Sequence, residues 1–91
     1  MLKILEDLVK LARERKINPI KDSYTNKLLE SNSLAKEKVI EEINELIDAV
    51  EKNTNKIHEA ADVFYHLVMY LEKNSIKIEE VMEELKNRKK K

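Results

Sequence analysis

No glycine occurs in the 91 residues of the chain, and Pro19 is its only proline. Sheet-rich folds depend on tight turns, and the commonest hairpin turns need positive φ, which glycine adopts most easily. A chain so poor in both residues reads as long helices joined by short polar connectors. The expected fold class is all-α, in a single domain spanning residues 1–91. A chain this short buries a modest fraction of its surface, so self-association is expected from size alone.

Hydrophobic spacing places the helices. Leu2, Leu5, Leu8, Val9 and Ala12 recur at three and four residues, which predicts an amphipathic helix from Leu2 to Arg15, ended by Asn18-Pro19. "DSYTNKLLES" (Asp22 to Ser31) predicts a short helix capped by Ser23 or Asp22 and contributing little to the core. Ser33 is the expected cap of the next helix, whose stripe Leu34, Ala35, Val39, Ile43, Leu46, Ile47 and Val50 runs to about Lys52. A further helix is expected from Thr54 or Asn55 to near Lys73, with Ile57, Ala61, Phe64, Val68 and Leu71 on one face. Val63, Leu67, Met69 and Tyr70 spread apolar surface almost all round its C-terminal half, so this helix is central or lies at an interface. Ile76 and Ile78 lead into a last amphipathic helix through Val81, Met82 and Leu85, and the basic "KNRKKK" is expected to be a frayed, solvated tail.

Eighteen basic residues balance eighteen acidic ones, so no global field attracts nucleic acid or an anionic membrane. Met1 to Leu11 lacks the apolar core and cleavage site of a signal peptide, and no stretch approaches the roughly 18 apolar residues of a membrane span. The expectation is a cytoplasmic protein with neither nucleic acid nor membrane as partner. Cysteine is absent, which removes thiolate ligation and leaves oxygen or imidazole donors for any metal.

The acidic residues have a pattern of their own. Glu42 and Glu45 lie one turn apart along one edge of their helix, an edge shared with the small Ala35 and Ala49. Glu59, Asp62 and His66 line a stripe at i, i+3 and i+7 on the largely apolar helix that follows. Facing each other, these edges would make an oxygen-lined pocket whose carboxylates repel by roughly several kcal/mol unless a cation neutralises them. Magnesium, which prefers oxygen ligands and is commonly shared with phosphates, suits such a pocket. The bland reading is a set of solvated acids paired with neighbouring lysines, and spacing alone leaves both open. His66 reads either as a satisfied structural histidine or as a residue orienting a carboxylate.

The ordered set "SYTNKLL" (Ser23 to Leu29), "KVIEEINE" (Lys38 to Glu45) and "EAADVFYHLVMYL" (Glu59 to Leu71) resembles the phosphoribosyl-ATP pyrophosphatase family of histidine biosynthesis. Arg15-Lys16 before it and "IKIEEVMEEL" (Ile76 to Leu85) after it match that family's order of segments, so the resemblance covers nearly the whole chain. The family belongs to the wider all-α nucleoside triphosphate pyrophosphatase group that includes the MazG-like enzymes. The resemblance implies a four-to-five-helix MazG-like bundle assembled as a homodimer. It implies hydrolysis of phosphoribosyl-ATP to phosphoribosyl-AMP and pyrophosphate, with magnesium as cofactor and manganese as its substitute. Carried over, Glu42, Glu45, Glu59 and Asp62 become the metal ligands, and Glu41, Glu42 and Glu45 the catalytic carboxylates, with Glu41 a second-metal ligand or base. Arg15, Ser23, Tyr24, Thr25, Lys27 and Lys38 become candidates for the nucleotide and its phosphates, with His66 supporting a carboxylate from behind.

One position departs from the family. The usual glycine before the E-E pair is Ile40 here, and "EEINELIDA" leans toward the MazG-like pattern. A MazG-like enzyme acting on other nucleoside triphosphates is the alternative, and a non-catalytic helical dimerisation module is the alternative from another class.

Overall fold

The computed structural model describes residues 2–89, and among these every regular element is a helix. In chain order they are α1 (Lys3–Ile17), α2 (Tyr24–Glu30), α3 (Asn32–Lys52), α4 (Lys56–Lys73) and α5 (Ile78–Arg88). The chain turns without glycine by placing polar residues in the left-handed region: Asp22 at φ 65°, Asn53 at 56°, Asn55 at 46° and Ser75 at 57°. Asn and Asp tolerate that region because their short polar side chains bond locally. At Asn53 the left-handed conformation closes α3, and its backbone N–H donates to the Ala49 and Val50 carbonyls.

α1 runs two residues past Arg15, and the Asn18 N–H caps it by donating to the Glu14 carbonyl at 2.8 Å. α2 is capped by Ser23, whose Oγ accepts from the Asn26 N–H at 3.3 Å. Contrary to expectation, α2 carries the core. Leu28 has no exposed surface and packs with Ala12, Leu29 and Met69, while Leu8, Leu34 and Tyr65 close round them. The reason is placement, because α2 touches α1, α3 and α4 together and so buries more than one stripe. Its buried Asn26 donates through Nδ2 to the Arg15 carbonyl at 2.9 Å and accepts from the Ile20 N–H at 2.9 Å. Those two bonds leave no buried amide unpaired and fix the α1–α2 connection.

α3 begins two residues earlier than the sequence suggests. Ser31, not Ser33, is its cap: Ser31 holds extended backbone and its Oγ accepts from the Leu34 N–H at 3.2 Å, while Ser33 lies inside the first turn. α4 is central as expected, packed along α3 and against both α1 and α2. Its buried set is His66, Val68, Met69 and Glu72, and the expected face through Ile57 and Phe64 is not covered. Ile57 is 87% exposed and Phe64 60%, because the ties from α1 and α2 fall on Tyr65, His66, Met69 and Glu72, in the C-terminal half of α4.

α5 buries no residue. It is joined to the body by Arg13, whose guanidinium donates to Glu79 at 2.6 and 2.8 Å and to the buried Glu72 at 3.2–3.3 Å. Lys16 adds a bond from Nζ to the Glu72 backbone carbonyl at 2.7 Å. The basic segment expected to fray is helical through Arg88, where Arg88 pairs with Glu84 at 2.9 Å one turn back and basic residues favour the helix C-terminus. Lys90 and Lys91 lie outside the described residues.

Candidate active site

The acids gather where α3 and α4 lie side by side. Ala35, Glu42 and Ala49, seven residues apart, form the buried stripe of α3, and the small alanines flank a glutamate that is only 8% exposed. On α3 the carboxylates of Glu41, Glu42 and Glu45 offer oxygens within 4.8 Å of one another, and on α4 His58, Glu59 and Asp62 form an equivalent set. Glu45 links the two sets electrostatically, because its charge acts on both Glu42 and Glu59. The four expected ligands therefore share one electrostatic cluster.

Two consequences of this crowding are visible. Burial, reinforced by Glu45 and then by Asp62 and Glu59, pushes the Glu42 carboxyl up to about 7. Glu59 is raised as well, chiefly by desolvation and then by Glu45 and Asp62, with His58 opposing. In addition, Oε2 of Glu42 and Oε2 of Glu59 are buried without a hydrogen-bond partner. Buried acceptors are rarely left so, and carboxylates least of all. An all-oxygen set with two unsatisfied inward oxygens fits a hard divalent cation.

His58 is the site residue that the sequence reading missed. Its Nε2 lies 3.4 Å from Asp62 Oδ2 and 4.0 Å from Glu59 Oε1. The signal was available, since His58 stands one turn before Asp62, but it lies off the Glu59–Asp62–His66 stripe.

The polar segment at the start of α2 divides its residues. Burial raises the pKa of the Tyr24 hydroxyl, which also feels the charges of Lys38, Glu42 and Glu41. That hydroxyl is 2.9 Å from His66 Nε2, and His66 Nδ1 is 2.7 Å from the Asp62 carbonyl. Thr25 is buried and its hydroxyl bonds to that of Tyr65. The Tyr24 and Tyr65 rings stack at 6.4 Å, and His66 stands edge-on to both. Ser23 is occupied by its cap and by Arg15, which donates to Oγ at 2.9 Å. Lys27 lies with Ser23 and Asn26 on another face of α2, lining a hollow of about 340 Å³ with Pro19 and Ile20. Lys38 is half-buried and pairs with Glu41 at 3.2 Å.

Ile40, in the place of the family's glycine, is 53% exposed. At that exposure its bulk is not packed into the core of the protomer. No helix of the described residues is long and apolar enough to cross a membrane.

Comparison with known proteins agrees with this geometry. Residues 5–89 match the family model described as phosphoribosyl-ATP pyrophosphohydrolase. A phosphoribosyl-ATP pyrophosphatase of Clostridium novyi is 40% identical over 97% of this chain and 83% of its own length. One from Methanobrevibacter smithii is 33% identical over 93% of each. A bifunctional histidine-biosynthesis protein of Pyrococcus furiosus is 41% identical over 98% of this chain, which spans only 43% of that longer protein. The model match embraces every helix that carries an acid of the cluster, and on that ground the chain belongs to the phosphoribosyl-ATP pyrophosphohydrolase family.

Proposed function

We propose that the protein hydrolyses phosphoribosyl-ATP to phosphoribosyl-AMP and pyrophosphate, as a magnesium-dependent enzyme of histidine biosynthesis. The observation that carries this reading is the pair of unsatisfied inward oxygens on Glu42 and Glu59, in a chain whose relatives are named for that reaction. Magnesium, with manganese as substitute, would be held by Glu42, Glu45, Glu59 and Asp62 and would offset the negative charge of acids and phosphates together.

The chain's own groups do the rest. Glu41, exposed beside the buried Glu42, would take a proton from an attacking water. Lys38, one turn before Glu42, offers a cation that can leave Glu41 for a phosphate oxygen. Tyr24, which feels the same acids, would contact the substrate from α2.

The uncovered apolar surface supports a homodimer as the working form. Ile40, Ile43, Ile47 and Val50 on α3, with Ile57 and Phe64 on α4, are all exposed large hydrophobics. Such a stripe on one protomer marks an interaction surface, and closed symmetric dimers are the commonest way to cover it.

The test is pyrophosphate release from phosphoribosyl-ATP, with magnesium and with excess chelator, beside a panel of ordinary nucleoside triphosphates. The expected result is metal-dependent release from phosphoribosyl-ATP far above the panel. Equal release from the panel would favour a MazG-like enzyme, and no release from any nucleotide would overturn the enzymatic reading.

A further inference from the structure

His66 is buried, 6% exposed, and it joins the start of α2 to the helix that carries Glu59 and Asp62. Its two ring nitrogens face different kinds of partner. Nδ1 lies 2.7 Å from the Asp62 backbone carbonyl, which can only accept, so Nδ1 carries the proton. In the neutral imidazole Nε2 is then an acceptor, and the Tyr24 hydroxyl 2.9 Å away must donate to it. A phenol has one proton. With that proton held by His66, what Tyr24 presents to the acidic cluster is lone pairs only.

We propose that His66 is a positioning residue that fixes the Tyr24 phenol as a hydrogen-bond acceptor at the acidic cluster, so that Tyr24 recognises an O–H donor and not a phosphate oxygen. The donor is a sugar hydroxyl of the nucleotide or a water ordered by the acids. Lys38, Glu42 and Glu41 all act on the Tyr24 hydroxyl, and beside the two acids an O–H donor is favoured over a further anion. The neighbouring rings hold the geometry. Tyr65 packs edge-on to His66 at 5.0 Å and is itself bonded to Thr25, so α2 is tied to α4 at two adjacent positions. The inference rests on the proposed function for the identity of the nucleotide, but the proton's position does not.

The proton can be read directly. The chain has two histidines, so a long-range nitrogen–proton NMR spectrum of the metal-free protein separates His66 from His58 with one His58→Gln variant for assignment. The expected result is the Nδ1–H tautomer at His66, with its Nε2 signal displaced in Tyr24→Phe. An Nε2–H tautomer would overturn the proposal. Kinetics supply the second arm. Tyr24→Phe and His66→Phe should each lower kcat/KM by about tenfold or more, and the double variant should lose no more than the worse single one, because both remove one fixed acceptor. His66→Gln, whose amide oxygen can still accept from the phenol, should stay within about threefold of wild type. Additive losses, or a Gln variant as poor as Phe, would overturn the proposal in favour of a merely structural histidine. A raised KM with an unchanged magnesium midpoint identifies a sugar hydroxyl as the donor, and a shifted midpoint identifies a water. Should His66→Phe fail to fold, the tautomer and Tyr24→Phe still decide. Absence of any pyrophosphate release would overturn the proposed function while leaving the tautomer measurement intact.

Discussion

Glu42 on α3 and Glu59 on α4 each turn Oε2 into the protein with no hydrogen-bond partner, and the charge of Glu45 acts on both. A buried acceptor left unpaired is destabilising, more so when charged, so this part of the fold is less stable than it would be with neutral side chains. Function and stability should therefore move in opposite directions. Glu42→Gln or Asp62→Asn is expected to lower turnover at least about a hundredfold, while the metal-free protein melts at the same temperature or higher. Melting each variant in chelator and in magnesium, beside a turnover assay, checks this. A variant that keeps both its activity and its magnesium-induced rise in melting temperature would show acids that merely face water.

The same cluster sets a pH dependence. The folded-state pKa of Glu42 is raised from the usual carboxylate value to about 7, so the folded protein binds that proton more tightly than the unfolded chain does. Its contribution to stability is fully present below about pH 4.5 and is lost as pH rises through about 7. Glu59, raised for the same reasons, acts in the same direction. Metal-free protein is expected to melt higher near about pH 5.5 than near about pH 8, and magnesium, which needs the ionised acids, to reverse that order. A flat melting profile over this interval in chelator would show that the carboxylates do not interact.

How far the sequence foretells this arrangement varies by element. The helix spans and the Ala35–Glu42–Ala49 stripe follow from local spacing, which one chain carries in full. The acids of α3 and α4 were legible as two edges, but that Glu45 acts on both depends on how the helices are set against each other, and no periodicity reports that. α2 shows the limit most plainly. A short helix with two adjacent leucines reads as contributing little to the core, yet contact with α1, α3 and α4 makes Leu28 its centre. His58 was hidden differently, by standing off the stripe that the other acids define.

The uncovered stripe on α3 and α4 supports a prediction about assembly. Ile43, Ile47 and Phe64 are exposed in the protomer, and none belongs to the acidic cluster or to the Tyr24–His66 pair. Ile47→Asp or Phe64→Asp should leave helicity intact and convert a dimer to monomer, because a desolvated carboxylate opposes burial strongly while costing little on an exposed surface. Light scattering at micromolar concentration is the measurement. Wild type that is already monomeric and folded would remove the dimer from the proposal, and dimers unaffected by either charge would place the interface elsewhere.

The last prediction concerns α5, which buries no side chain and depends on Arg13 for its attachment. The Arg13 guanidinium beside Glu79 holds that carboxyl down to about 2, and the two bonds to Glu79 are matched by those to the buried Glu72 of α4. A depressed carboxylate contributes stability that is present above its unfolded value near about 4.5 and is lost as pH falls toward about 2, the reverse of Glu42. Metal-free protein should therefore be most stable near about pH 4.5–5, between the two windows. Glu79 is largely exposed, so its pair is screened by salt, whereas the Arg13–Glu72 contact behind it is screened far less. Glu79→Gln, or high salt on the wild type, should raise amide exchange along Ile78–Arg88 while leaving α1 to α4 protected. Arg13→Ala should do more, because it also strands Glu72 in the interior with only Lys16, 3.9 Å away, to answer its charge. Hydrogen exchange followed helix by helix separates these effects. Exchange in α5 that ignores both Glu79→Gln and salt would show that the helix is held by something other than this ion pair.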